Sequence, residues 1–362
     1  MTPAGNASRD GNGDFSRREF LTAAGGGALG AVTGASLLSA ARPARAEPGD
    51  TPAAKSPAPV ARPRVGAVSW CFHTFAGGSD PTEAIEIFGD LGFEGTDLIL
   101  LARDDIRNFW TAAKIQDLRG RLEKHRIAMA QFVIFQPVVE GLTSLDAAER
   151  DKNLQYFEEG CRIGKELGAP VINIVSPWAR ELHGPDSYLP RYYEIGNPKP
   201  GEKFHIDIDP GFDWDKVWRS YIDTTKRCLD RVKKLGLKLS IEHHTHTVVP
   251  DALSFLALWD AIQDPDLGYN LDTGWTLLQR EYPPVAIHKV RKHLMNLHVR
   301  DIDGPMRKFP HVGEGVMDFK AIAEALKAVG YTGFLSIEQD KHPGDMRATC
   351  KRYLEMMRSY LS

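Results

Sequence analysis

Four times in this chain a helical stretch ends on a glycine and passes straight into an apolar run: Leu91-Gly92-Phe93, Leu167-Gly168-Ala169, Leu235-Gly236-Leu237 and Val329-Gly330-Tyr331. Glycine stops a helix by entering a left-handed turn, and the apolar residues that follow start a buried strand. Between these stops, apolar segments and amphipathic segments alternate. Strands are expected at 64–70, 95–101, 127–135, 171–175, 237–242, 267–272, 294–298 and 334–338. Helices are expected at 81–91, 111–125, 145–167, 214–235, 251–262, 285–290, 318–329 and 346–361. Eight strands alternating with eight helices predict an α/β fold, a single (β/α)8 TIM barrel. The rival, an open doubly wound sheet, would carry a glycine-rich phosphate turn after an early strand. The single G-x-G-x-x-G match, Gly25 to Gly30, has no strand before it and no acidic partner after it, so it is not a dinucleotide site.

In the second half the strands share a further property. The apolar runs ending at Ile241, Leu271, Leu297 and Ile337 are each followed by one side chain able to bind a metal: Glu242, Asp272, His298 and Glu338. In a parallel barrel all strand C-termini meet on one face, so these four distant residues converge. Two Glu, one Asp and one His form an oxygen-rich set with a single imidazole. That set suits one divalent ion, Mn²⁺ first, with Mg²⁺, Co²⁺ or Zn²⁺ also compatible.

The first 63 residues carry no fold signal. Ser16-Arg17-Arg18-Glu19-Phe20-Leu21 reads as a twin-arginine export motif, followed by a weakly apolar Gly/Ala stretch and a small-x-small cleavage site at Ala44-Arg45-Ala46, so 1–46 is expected to be a signal peptide. The glycines in that stretch make it a poor membrane span, and no stable membrane insertion is expected. Residues 47–63, with Pro48, Pro52, Pro57, Pro59 and Pro63, read as a disordered tether, and 64–362 as the barrel. The expected location is periplasmic or extracellular. The formal charge of the whole chain is −3, and removal of the leader makes it more negative. An acidic domain is a poor nucleic-acid partner, because phosphate binding depends on clustered Lys and Arg. The four cysteines show no C-x-x-C spacing and read as buried free thiols. The long segment 177–213, rich in Pro, Trp and Tyr, is expected to be an insertion after strand four that acts as a lid over the strand C-termini. Within it, Asp207-Ile208-Asp209 mimics a calcium loop, but Pro210-Gly211 breaks the spacing, so a turn is expected.

With these residues in view, the chain resembles the xylose isomerase-like TIM barrels, a family of sugar isomerases, 3-epimerases and inosose dehydratases. The resemblance covers roughly 65–345. It rests on Ile241-Glu242-His243-His244, Leu271-Asp272-Thr273-Gly274, Asn296-Leu297-His298-Val299-Arg300-Asp301, His311-Val312-Gly313-Glu314-Gly315 and Ser336-Ile337-Glu338. It implies that Glu242, Asp272, His298 and Glu338 bind one divalent ion and that Glu242 and Glu338 move protons. The implied chemistry is abstraction of a proton next to a carbonyl through an enediolate. Returning the proton gives an isomerase or epimerase of a free or oxidised sugar. Expelling a β-leaving group gives a lyase or dehydratase acting on a 3-keto-glycoside or inosose. Two further readings of the same barrel are a non-catalytic sugar-binding protein and an abasic-site endonuclease. The chain departs from the epimerases at Trp275, where they often place a His, and from xylose isomerases at His244, where they carry a Lys. Trp275 is expected either to wall the site or to pack in the core. His73, His244, His246, Arg300 and His311 are further candidates for substrate contact, Arg300 with the alternative of pairing with Asp301. The expected partner is a small carbohydrate, and a homo-oligomer stays open.

Overall fold

A computed structural model describes residues 62–183, 205–304, 309–340 and 344–362. The strands are β1 (Arg64–Val68), β2 (Gly95–Leu100), β3 (Ala128–Ile134), β4 (Val171–Val175), β5 (Leu182–His183), β6 (Asp207–Ile208), β7 (Lys238–Glu242), β8 (Leu267–Asp272), β9 (Leu294–Val299) and β10 (Phe334–Ile337). All but β5 and β6 form one closed parallel barrel, in the order β1-β2-β3-β4-β7-β8-β9-β10 and back to β1. The expected TIM barrel is thus the fold, and the insertion follows its fourth strand.

The intervening helices begin where acidic or hydroxyl side chains accept from the first free backbone N–H groups. Thr111, Asp146, Asp213, Asp251, Asp318 and Asp345 all cap in this way. Gly92 and Gly168 end theirs with φ of 86° and 87°, a conformation that side chains with a Cβ rarely adopt. The helices bury one face against the barrel, and Phe88, Phe157, Tyr221, Phe255 and Tyr353 are among the large side chains sealed between helix and sheet. Among the described residues, no helix is long and apolar enough to cross a membrane. Cys71, Cys161, Cys228 and Cys350 are all buried free thiols.

Several short elements differ from expectation. Asp207-Ile208 is not a turn: it is β6, paired antiparallel with β5 through Leu182↔Ile208 and His183↔Asp207. A two-residue strand leaves no periodicity to read, and its pairing partner lies far back in the chain. The lid expected over the site falls largely on 184–204, outside the described residues, as do the leader and most of the tether. A short helix at Thr273–Leu278 was also not expected, because Gly274 and two β-carbons branched at Thr273 and Thr276 argue against helix locally.

Most barrel interiors are filled by branched apolar side chains. This one has a polar layer instead. Asp97, Gln131, Asn173, Ser240, Asn270, Asn296 and Ser336 are buried from solvent, and all but Asn270, which donates to Glu242, are hydrogen-bonded within the layer. Asn173 donates to Ser240 (3.0 Å) and Ser240 to Gln131 (3.1 Å), while Asn296 (3.1 Å) and Ser336 (2.6 Å) both donate to Asp97. Gly66 makes room for this layer: a Cβ there would stand 2.8 Å from Ser336 Oγ and 3.2 Å from the Gly95 carbonyl oxygen. Gly66→Ala should therefore push Ser336 off Asp97. The expected loss is about 1–3 kcal/mol for overpacking a closed core, read as a lower midpoint in urea unfolding with an unchanged slope.

Candidate active site

The polar layer continues upward into the strand ends. In a strand, residues two apart share a face, so Ser240, Asn270, Asn296 and Ser336 lie directly beneath Glu242, Asp272, His298 and Glu338. These last four are buried, and each offers one ligand atom within 4.8 Å of the others. They are carried by β7, β8, β9 and the residue just past β10.

Each is held by identifiable partners. Glu242 Oε2 accepts from Asn270 Nδ2 at 2.7 Å. Asp272 caps the helix Thr273–Leu278, its Oδ1 accepting from Trp275 N at 2.9 Å, while its Oδ2 accepts from Arg300 Nε at 2.8 Å. Glu338 Oε1 accepts from Trp70 Nε1 at 3.0 Å and from the Arg300 guanidinium. The backbone of Glu338 is fixed too, its N–H donating to Val299 O at 3.0 Å. His298 Nε2 donates to Asp97 Oδ2 at 3.0 Å, which aims Nδ1 at Glu242 Oε2 (3.2 Å) and Glu338 Oε2 (2.7 Å).

The electrostatics follow from burial and crowding. Burial raises the Asp272 carboxyl to about 8, with Glu338 and Glu242 adding to the rise and Arg300 opposing it. Burial also works against ionising Glu338, but Arg300 and His298 overcome it and hold that carboxyl far below the usual range. Burial alone would keep His298 neutral, yet Glu242, Glu338 and Asp97 push its pKa well above normal. In this state Arg300 and protonated His298 are the positive charges that neutralise the acids.

The donor set fits a divalent ion. Three carboxylates and one imidazole nitrogen face a common point, which is the chemistry of Mn²⁺, Mg²⁺ or Zn²⁺ sites. Glu338 Oε2 is moreover a buried oxygen without a well-aligned hydrogen-bond donor, although His298 Nδ1 lies nearby. The carboxylate–imidazole pair Asp97–His298 is the arrangement that orients metal-binding histidines.

The other candidates separate. His244, Trp275 and Arg300 line a cleft of about 480 Å³, counted to its open mouth, whose floor is Glu242, His298 and Glu338. Trp275 is both wall and packing: it is 2% exposed, with its ring 3.6 Å from that of His244 and edge-on to Phe309. Arg300 does not pair with Asp301. It binds Asp272 and Glu338, and Asp340 Oδ1 lies 3.5 Å away, while Asp301 accepts from the backbone of Ile302, Gly313, Gly315 and Met317. His73, His246 and His311 are not among the residues lining the cleft. His73 is turned to Ser69 Oγ (3.0 Å) and His311 to Thr349 Oγ1 (2.7 Å). His246 is half-buried at a φ of 63°, and burial lowers its pKa. Trp70, Asp97 and Asn270 were missed by sequence reasoning. An acid inside the apolar strand Gly95–Leu100 was the available signal for Asp97.

A model of the xylose isomerase-like TIM barrel family matches residues 85–360. The chain belongs to that family. Inosose dehydratase of Lacticaseibacillus casei is 24% identical over 42% of this chain, and the match spans 59% of that protein, under two thirds of its length. Inosose dehydratase of Geobacillus kaustophilus is 25% identical over 67% of this chain and 79% of its own. Among solved structures, D-psicose 3-epimerase from Clostridium cellulolyticum has a TM-score of 0.65 at 15% identity, covering 83% of this chain and 99% of that one. A 3-keto-D-glucoside 4-epimerase from E. coli has a TM-score of 0.62 at 14% identity, covering 82% and 100%. At these identities the two structures speak to the fold alone.

Two substitutions probe the cluster directly. Arg300→Met leaves Asp272 and Glu338 buried without their counter-ion, which should cost the metal-free protein about 3–5 kcal/mol. The same change should tighten Mn²⁺ binding in calorimetry, because the cation no longer competes with a guanidinium. Asp97→Asn should weaken Mn²⁺ binding by about 10- to 100-fold, the usual cost of losing the partner that orients a histidine ligand.

Proposed function

We propose that this protein is a divalent-metal-dependent isomerase or epimerase of a carbonyl sugar, working by proton transfer at the carbon next to the carbonyl. The observation that carries the reading is the placement of Glu242 and Glu338. Their carboxylates flank His298 Nδ1 from β7 and from the end of β10, and both open onto the floor of the same cleft.

Glu242, Asp272, His298 and Glu338 would hold the ion, which when bound supplies positive charge to the substrate oxygens and so acidifies the adjacent C–H. The remaining work falls to side chains. One glutamate takes the proton and the other returns it, and fixed geometry makes this efficient. Trp70 and Arg300 keep Glu338 anchored at Oε1 and leave its Oε2 facing the cluster. Asn270 holds Glu242 through Oε2. Buried surroundings exclude water from the carboxylates and strengthen their interaction with developing charge.

Sugar epimerases and inosose dehydratases among the relatives support this class of chemistry, and the dehydratases support the second reading: the same proton abstraction followed by loss of a β-leaving group. The site residues serve both. Export by the twin-arginine route, read from residues 16–46, accompanies the proposal. It favours an unphosphorylated substrate, since phosphorylated sugars are mostly retained inside cells.

The test is solvent exchange. Mature protein loaded with Mn²⁺ should incorporate deuterium from D₂O into a carbon-bound position of a keto-sugar, followed by NMR across ketoses, 3-keto-glycosides and inososes. Chelation should stop the exchange. Glu242→Gln and Glu338→Gln should each lower its rate by about 10²- to 10⁴-fold, the span of general acid–base catalysis, while sugar binding persists. Exchange without elimination fits an isomerase or epimerase, and release of water or an aglycone fits the lyase. Binding of sugars with no exchange in any of them would overturn the enzyme reading.

A further inference from the structure

The cleft is chemically divided. The β7–β10 side carries the charged cluster. On β2, β3 and β4 the cleft-facing positions at the corresponding height are Ile99, Val133 and Val175. The register makes the correspondence direct: Val175 pairs with Glu242, and Ile99 pairs with Val133. These three side chains are at most 8% exposed. Above them Phe75 and Phe135 stack with ring centroids 5.4 Å apart and an interplanar angle of 27°. Both line the cleft, and Phe75, 38% exposed, is one of the large apolar side chains open to solvent.

A free ketose or an inosose presents hydroxyls around its whole ring. Bound by its carbonyl side to the acidic cluster, it would turn several of them toward Ile99, Val133 and Phe135, which offer no hydrogen bond, and buried hydroxyls without partners weaken binding. Gln136, the polar side chain lining this side among the described residues, donates its amide to the Ser176 carbonyl at 3.1 Å. An apolar substituent placed there would instead gain burial against aliphatic and aromatic carbon.

We propose that the substrate is a keto-sugar carrying an apolar substituent, a glycoside with an alkyl or aryl aglycone, with the sugar on the Glu242–Glu338 side and the aglycone against Ile99, Val133, Val175, Phe75 and Phe135. This rests on the proton-transfer reading of the same site and extends it to the substrate class.

The experiment compares Mn²⁺-loaded mature protein acting on 3-keto-glucose, methyl 3-keto-glucoside and phenyl 3-keto-glucoside by deuterium exchange. In parallel, calorimetry compares the unreactive glucose and phenyl glucoside on the same preparation. The phenyl compound should exceed the free keto-sugar in kcat/KM by about tenfold or more, the discrimination an apolar pocket gives for even small groups. Val133→Thr, which puts a hydroxyl on the apolar wall, and Phe75→Ala, which removes an aromatic face, should each shrink that ratio, Val133→Thr in part by raising kcat/KM for the free keto-sugar. Equal or reversed preference overturns the inference and leaves the proton-transfer reading standing. If no keto-sugar exchanges, that reading fails, and the calorimetric preference for phenyl glucoside, with its loss in Val133→Thr, decides the inference alone.

Discussion

Asp97 stands at the centre of the barrel and takes three hydrogen bonds, from His298 and Asn296 on β9 and from Ser336 on β10. Its own strand, β2, is not a neighbour of either, so these bonds brace the barrel across its interior. A carboxylate sealed from water is costly unless every lone pair is used. Here the same bonds that satisfy it also turn His298 so that Nδ1 points up into the acidic cluster. The geometry of the cluster therefore depends on a layer beneath it that touches neither substrate nor ion. That layer replaces the branched apolar filling usual in such barrels, which shows that the interior is organised around the site rather than around packing.

Charged and apolar side chains occupy different arcs of the cleft. β7 to β10 supply the carboxylates, the imidazole and the guanidinium, each tied to several neighbours, so a change at one is felt by the rest. β2 to β4 supply aliphatic walls, and the aromatic pair Phe75–Phe135 sits on the loops and strand ends above them. The apolar side chains at the strand ends of that arc, Ile99, Val133 and Val175, touch the cluster through no polar bond, whereas Asp97 and Gln131 deeper on β2 and β3 bond to His298 and are tied to it.

The barrel was legible because its signals are local: helix stops at glycine, acidic caps, and apolar runs of strand length. The four strand-end residues were legible for the same reason, as side chains of ligand type at equivalent places in successive strands. The polar layer was legible in principle, since Ser240, Asn270, Asn296 and Ser336 each precede a ligand-type residue by two, the period of a strand. Its function was not, because the acid that joins it, Asp97, lies two hundred residues away in sequence and meets His298 only on barrel closure. Single histidines are harder to place from sequence. His73 and His311 sit in loops after or before the right elements, but loop side chains can turn either way, and these two turn to nearby hydroxyls. Of the pairing with Asp301 that adjacency suggested for Arg300, the structure shows none: just past β9 the guanidinium turns to Asp272 and Glu338, partners brought near only by barrel closure.

Arg300 also bears on how the barrel closes. Three carboxylates converging in a buried space would repel one another and hold the strand ends apart if nothing neutralised them. With the guanidinium bonded to Asp272 and Glu338, and His298 set between Glu338 and Glu242, the barrel can close around its own charges. The strand ends can thus meet without an added cation, and any ion that enters would have to compete with the guanidinium for Asp272 and Glu338.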